Sequence, residues 1–82
     1  MSDENVPVRE MTFGEKACGR SFNPGGSVEV DAIKLGFSNL VDALNNARAK
    51  TENPEKKRML SIAITEAQAV QMWAVKAVTW QF

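Results

Sequence analysis

The stretch NPEKKRMLSIAITEAQAVQMWAVKAVTWQF, residues 53–82, decides the fold. It opens with Asn53-Pro54-Glu55: an N-cap side chain, a proline at the first helical position, and an acid facing the positive end of the helix dipole. No glycine or proline follows. One helix is therefore expected from Pro54 to Trp80, roughly 40 Å long at ~1.5 Å per residue. After Arg58 its only charges are Glu66 and Lys76. Leu60, Ala63, Ala67, Val70, Ala74 and Ala77 step by three and four and make one apolar stripe. A second stripe is offset from it: Ile62, Ala69, Trp73, Lys76 and Trp80. A helix with two apolar faces needs neighbours on two sides.

Working outward, Lys50-Thr51-Glu52-Asn53 is a short polar connection. Before it, Ser27 caps a second long helix, with Glu29 and Asp31 in its first turn. Within residues 27–49, Val30, Ile33, Phe37, Leu40, Leu44 and Ala47 alternate steps of three and four, as a seam between helices requires. Lys34 falls off that seam. Gly36 sits inside the helix at a cost of about 1 kcal/mol against alanine, and leaves room for a close approach of another backbone or a ligand. A short connection makes neighbouring helices antiparallel. The expected fold is all-α: an antiparallel αα-hairpin with a short N-terminal arm or helix, one domain over residues 1–82. The arm and loop take residues 1–26, and the helices residues 27–49 and 54–80. The seam of the first helix is expected to meet the alanine-rich stripe of the second, which leaves the Trp73/Trp80 face for other protomers.

The arm has its own punctuation. Residues 1 to about 10 read as loosely ordered, with Val6-Pro7-Val8 extended. Met11 to Cys18 reads as a short turn of helix, capped by Thr12 with Glu15 completing a capping box and Gly19 ending it. Arg20-Ser21-Phe22-Asn23-Pro24-Gly25-Gly26 is the main loop, because Asn-Pro and paired glycines are turn chemistry.

Composition narrows the function classes. A chain of 82 residues buries little core for its surface. Its one cysteine, Cys18, excludes an internal disulfide. Self-association is the remaining source of stability. Ten basic and ten acidic residues balance, so there is no broad footprint for duplex nucleic acid. The polar, acidic start Met1-Ser2-Asp3-Glu4-Asn5 lacks the features of a signal peptide. Polar residues break the apolar runs of the last helix, so it is no membrane span. A lone cysteine fits a reducing cytoplasm.

Catalysis is hard to build from these residues. There is no histidine and no tyrosine, so Cys18 lacks an imidazole partner for nucleophilic work and reads as a small buried side chain. The acids are scattered without the spacing of a metal cluster or a carboxylate pair. A non-catalytic chain with no cofactor and no metal site is expected. Binding is better supported. The loop from Asn23 to Ser27 opens a helix, and Gly25 and Gly26 let backbone N–H groups point at an anion. Arg20 and Phe22 offer flat surfaces for a base, and Lys34, two turns in, is long enough to reach back to the loop. Each feature also has a plainer reading: a turn, a core anchor, a solvated lysine. Lys76, a lone cation on an aromatic face, either snorkels to water or meets an anion.

Two stretches carry a family likeness. One is Arg20-Ser21-Phe22-Asn23-Pro24-Gly25 followed by Val30-Asp31-Ala32-Ile33-Lys34. The other is Ser61-Ile62-Ala63-Ile64-Thr65-Glu66-Ala67-Gln68 followed by Gln71-Met72-Trp73-Ala74-Val75-Lys76-Ala77. Together, over about residues 11 to 80, the chain resembles the small anti-CBASS proteins of tailed bacteriophages, of the kind carried by T-even phages. These share their helical hairpin with anti-Thoeris sponge proteins. The resemblance implies a compact homohexamer in the cytoplasm of the infected bacterial host. It would bind cyclic di- and trinucleotide messengers such as 3',3'-cGAMP tightly and uncleaved. By this resemblance Lys34 contacts cyclic dinucleotides between paired protomers, together with the loop residues Arg20, Phe22, Asn23, Gly25 and Gly26. Lys76 matches the basic position of a separate trinucleotide pocket. Family members stack a base on a tyrosine just before the first long helix; here Phe22 or Arg20 would have to replace it. Besides a phosphodiesterase, which the absence of histidine argues against, two other functions compete. One is a protein-binding hairpin that blocks a host factor through Trp73 and Trp80. The other is a sponge for cyclic ADP-ribose signals.

Overall fold

The computed structural model describes residues 9–82. The expectations for Val6-Pro7-Val8 and the rest of residues 1–8 lie outside it. Three helices follow in order: α1, Phe13–Ala17; α2, Val28–Lys50; α3, Pro54–Val78. No strand occurs among the described residues.

Each helix starts where its side chains satisfy the first free N–H groups. At α1, Thr12 Oγ1 accepts from the Glu15 N–H at 3.1 Å and Glu15 Oε1 accepts from the Thr12 N–H at 2.8 Å. That is a complete capping box. α1 ends on Gly19 at φ +59°, with Arg20 N–H donating to the Glu15 carbonyl and Gly19 N–H to the Lys16 carbonyl. This paired C-terminal closure requires a left-handed residue, which glycine supplies. Ser27 caps α2 through the Val30 N–H. Asn53 Oδ1 caps α3 through the Glu55 and Lys56 N–H groups at 2.9 and 3.1 Å, with Pro54 beginning the helix. α3 stops at Val78, two residues short of the expected Trp80. Thr79 takes φ −100°, ψ 2° there, and its hydroxyl donates to the Val75 carbonyl at 2.8 Å, so the chain turns off the axis.

The three-residue link Thr51–Asn53 folds α3 back along α2, and Arg48 Nη1 reaches across to Ser61 Oγ at 3.0 Å. α1 packs on the other flank of α2. Gly14 N–H donates to Asp42 Oδ1 at 2.7 Å, and the Arg48 guanidinium sits 5.7 Å from the centre of the Phe13 ring. A Cβ on Gly14 would collide with the Ser38 carbonyl oxygen and lie 2.8 Å from Asp42 Oδ1. Glycine is what lets α1 lie so close to α2.

With neighbours on two flanks, the buried face of α2 is rotated from the expected seam. Val30, Lys34, Ser38 and Val41 are buried, whereas Leu40 and Ala47 are exposed. On α3 the buried residues are Ile64, Ala67 and Gln71, and the expected Val70 and Ala77 face solvent. Lys34 therefore lies on the buried face. The core is small: Cys18, Val41, Ile64 and Ala67, with Ala17, Phe37 and Leu44 packed around them. The Cα framework is flat, 12 Å in its thin direction against 45 and 44 Å in the other two. All helices lie in one layer. Ile62, Trp73 and Trp80 are left on an open face, 47%, 70% and 59% exposed, as the second stripe implies. No helix among the described residues is long and apolar enough to cross a membrane.

Candidate ligand site

The loop between α1 and α2 is tied to α2 at three points. Arg20 Nη1 pairs with Asp31 Oδ1 at 2.6 Å. Asn23 closes a turn with both ends of its amide: Nδ2 donates to the Ser27 carbonyl at 2.8 Å, and Oδ1 accepts from the Ser27 N–H at 3.2 Å. Lys34 reaches back along the helix, and its Nζ donates to the carbonyl oxygens of Gly19, at 3.1 Å, and Phe22. These ties bring Arg20, Phe22 and Lys34 to one end of the hairpin. Phe22 is no core anchor: its ring is 70% exposed, with the Lys34 ammonium 5.3 Å from its centre. The Nε of Arg20 is buried without a partner.

The glycines divide. Gly26 has φ +65° and donates its N–H to the Asn23 carbonyl at 3.0 Å, so it builds the turn. The Ser27 N–H is also occupied. The anion cradle expected from this run of amides is thus largely closed on itself. Gly25 is exposed, and a Cβ there would meet nothing within 4 Å.

Lys76 stands apart on α3. Its Nζ lies 5.5 Å from the Trp73 ring and 6.0 Å from the Trp80 ring, and the residue is exposed. The cation rests against two aromatic faces, an attractive arrangement that keeps its charge in water. Beside it runs an open groove of about 670 Å³ lined by Thr65, Gln68, Ala69, Met72, Trp73 and Lys76. A smaller groove of about 340 Å³ continues it along Trp73, Lys76, Ala77 and Trp80. Sequence reading had singled out Ala69, Trp73, Lys76 and Trp80. Thr65, Gln68 and Met72 were missed, although they stand at helical spacing from Trp73 and Lys76. Trp80 also makes an edge contact with Phe82, ring centres 5.4 Å apart.

Under the loop, Cys18 is buried at 3% exposure, and that burial pushes its thiol up from its ordinary value, against a hydrogen bond with Ser38. A thiol shifted that way holds little thiolate and is a poor nucleophile. No group of three or more acids and cysteines placed to hold a metal occurs among the described residues.

Two long antiparallel helices, with a short helix and a tied turn on the flank of the first, define a helical hairpin. The chain belongs to the family described as Acb2/Tad1, hairpin domain, whose model matches residues 15–79. The match begins inside α1 and ends just past α3, so it takes in the loop and both long helices. This is a family of phage cyclic-nucleotide sponges, which bind their ligands rather than transform them. No curated protein and no solved structure matches the chain.

Proposed function

We propose that this chain sequesters cyclic di- and trinucleotide messengers of the host CBASS system, 3',3'-cGAMP among them, in the cytoplasm of the infected bacterium. The observation that carries this reading is the exposed Phe22 ring, fixed beside the Lys34 ammonium. A flat, exposed apolar surface suits a nucleobase, and base stacking on an aromatic side chain contributes about 1–3 kcal/mol. Phe22 takes the stacking place that family members give to tyrosine. Arg20, Phe22 and Gly25 face the ligand, while Asn23, Gly26 and Lys34 hold the surface in shape.

A cyclic dinucleotide has two bases and two phosphates. One protomer offers one such surface, so two protomers about a two-fold axis match the ligand. A sponge must outcompete the effector, and nanomolar affinity corresponds to about −12 kcal/mol. That demands enclosure, which a single layer of helices gains only between copies. We place the dinucleotide there, in a hexamer, and the trinucleotide at Lys76.

Calorimetry with a panel of cyclic dinucleotides, cyclic trinucleotides and cyclic ADP-ribose isomers tests the reading. Heat is expected with the dinucleotides, and Phe22→Ala should weaken it by about ten- to a hundredfold. The bound ligand should be recovered intact after proteolysis of the complex. Heat from the ADP-ribose isomers alone would move the ligand to the Thoeris type; no heat from any of the panel would end the sponge reading. The exposure of Trp73 and Trp80 favours one second reading, a hairpin that blocks a host protein. It requires a protein partner lost on Trp73→Ala and no small ligand.

A further inference from the structure

The turn that carries Phe22 has little packing of its own. Phe22 is largely exposed, and around Gly25 and Gly26 there is open space. Lys34 supplies what packing does not. It is only 7% exposed, and its Nζ donates to the carbonyls of Gly19 and Phe22. Those two residues are the ends of one turn, in which the Phe22 N–H donates to the Gly19 carbonyl at 2.9 Å. One ammonium thus clasps both ends of the segment that sets the direction of the Phe22 ring. Two of its three N–H donors are occupied. It makes no ion pair among the described residues, and Asp31, one turn before it, is engaged by Arg20. Its charge faces the two carbonyl dipoles and the aromatic ring, and acts also on the Cys18 thiol nearby.

We infer that Lys34 is a positioning residue: it latches the Gly19–Phe22 turn and so fixes the Phe22 ring as the platform on which a ligand base stacks. This rests on the dinucleotide reading above and departs from a direct lysine–phosphate contact. A side chain this buried, with two donors on backbone carbonyls, reaches a phosphate only by releasing the turn.

Amide hydrogen exchange on the full chain, free and with 3',3'-cGAMP, tests it in the wild type, Lys34→Met and Lys34→Arg. Lys34→Met keeps the apolar stem and removes the donors. The Phe22 amide should then exchange about tenfold faster or more, while the helix amides of Val41 and Ile64 stay unchanged. Affinity for 3',3'-cGAMP should fall by about tenfold or more in step. Lys34→Arg, which keeps charge and donors, should restore both to within about threefold. Weaker binding with unchanged exchange at Phe22 would assign Lys34 to the ligand and overturn the latch. Unfolding of both variants would make Lys34 a plain core residue and overturn it too. If the wild type binds no cyclic nucleotide, the sponge reading fails, and the ligand-free exchange still upholds or refutes the latch.

Discussion

Gly14 and Glu15 show how much of the docking of α1 rests on single atoms. Gly14→Ala would press a methyl group into the Ser38 carbonyl, a backbone atom that cannot swing aside. The expected loss is on the order of 1–3 kcal/mol, read as a lower urea midpoint at an unchanged slope. A midpoint equal to the wild type would mean that α1 does not lie against Ser38. Glu15 makes a pH prediction. The bond from the Arg9 guanidinium, at 2.8 Å, and then the Thr12 N–H hold its carboxyl down to about 2. A depressed acid stabilises the fold above its unfolded pKa, about 4.3, and loses that contribution as pH falls toward the folded value. The stabilising contribution of Glu15 should therefore be complete at pH 5 and fade between about pH 4 and pH 2, with the carboxyl of the folded chain protonating only at about 2. A carboxyl NMR titration of Glu15 checks this; a midpoint in the ordinary range, about 4.3, would remove the Arg9 contact from the account.

At the scale of the elements, α3 depends on its first turn. Asn53 alone satisfies two of the free N–H groups there, and Asn53→Ala should cost about 1 kcal/mol, seen as a lower denaturation midpoint with the helix content retained. No change would mean that the Thr51–Asn53 link is held by other contacts. Helix ends of this kind were legible in the sequence, because a cap is a local bargain between a side chain and the next few amides. Thr12 with Glu15, Ser27, and Asn53 with Pro54 all start helices where residue chemistry places them. The faces were less legible. Lys34, Ser38 and Gln71 are polar and buried, so a search for apolar stripes assigns them to water. Lys34 is explained by the loop carbonyls, and Ser38 by its bond to the Lys34 carbonyl at 2.6 Å and the glycine above it. Of these partners, Gly19 and Phe22 for Lys34 and Gly14 for Ser38 are distant in sequence. Asn23 and Gly26, expected to meet a ligand, also build the turn, through bonds with Ser27 and with each other over three and four residues.

At the scale of the whole molecule, the missing part is a second layer. Domains bury their cores between two packed layers, and the described residues form one flat layer. Met72 and Trp73 remain open on α3, Trp80 just past its end, and Val28, Leu35 and Leu40 on α2. Gly36, in the same helix, meets nothing. In a solitary chain Gly36→Ala should stabilise by up to about 1 kcal/mol. In an assembly whose copies meet closely at Gly36 it should instead reduce the number of copies, which light scattering reads. Native mass spectrometry of the full chain with 3',3'-cGAMP puts association and sequestration into one spectrum. The account predicts several chains carrying the cyclic dinucleotide at its unaltered mass. A single chain without ligand, or a ligand gaining the mass of water, would contradict it.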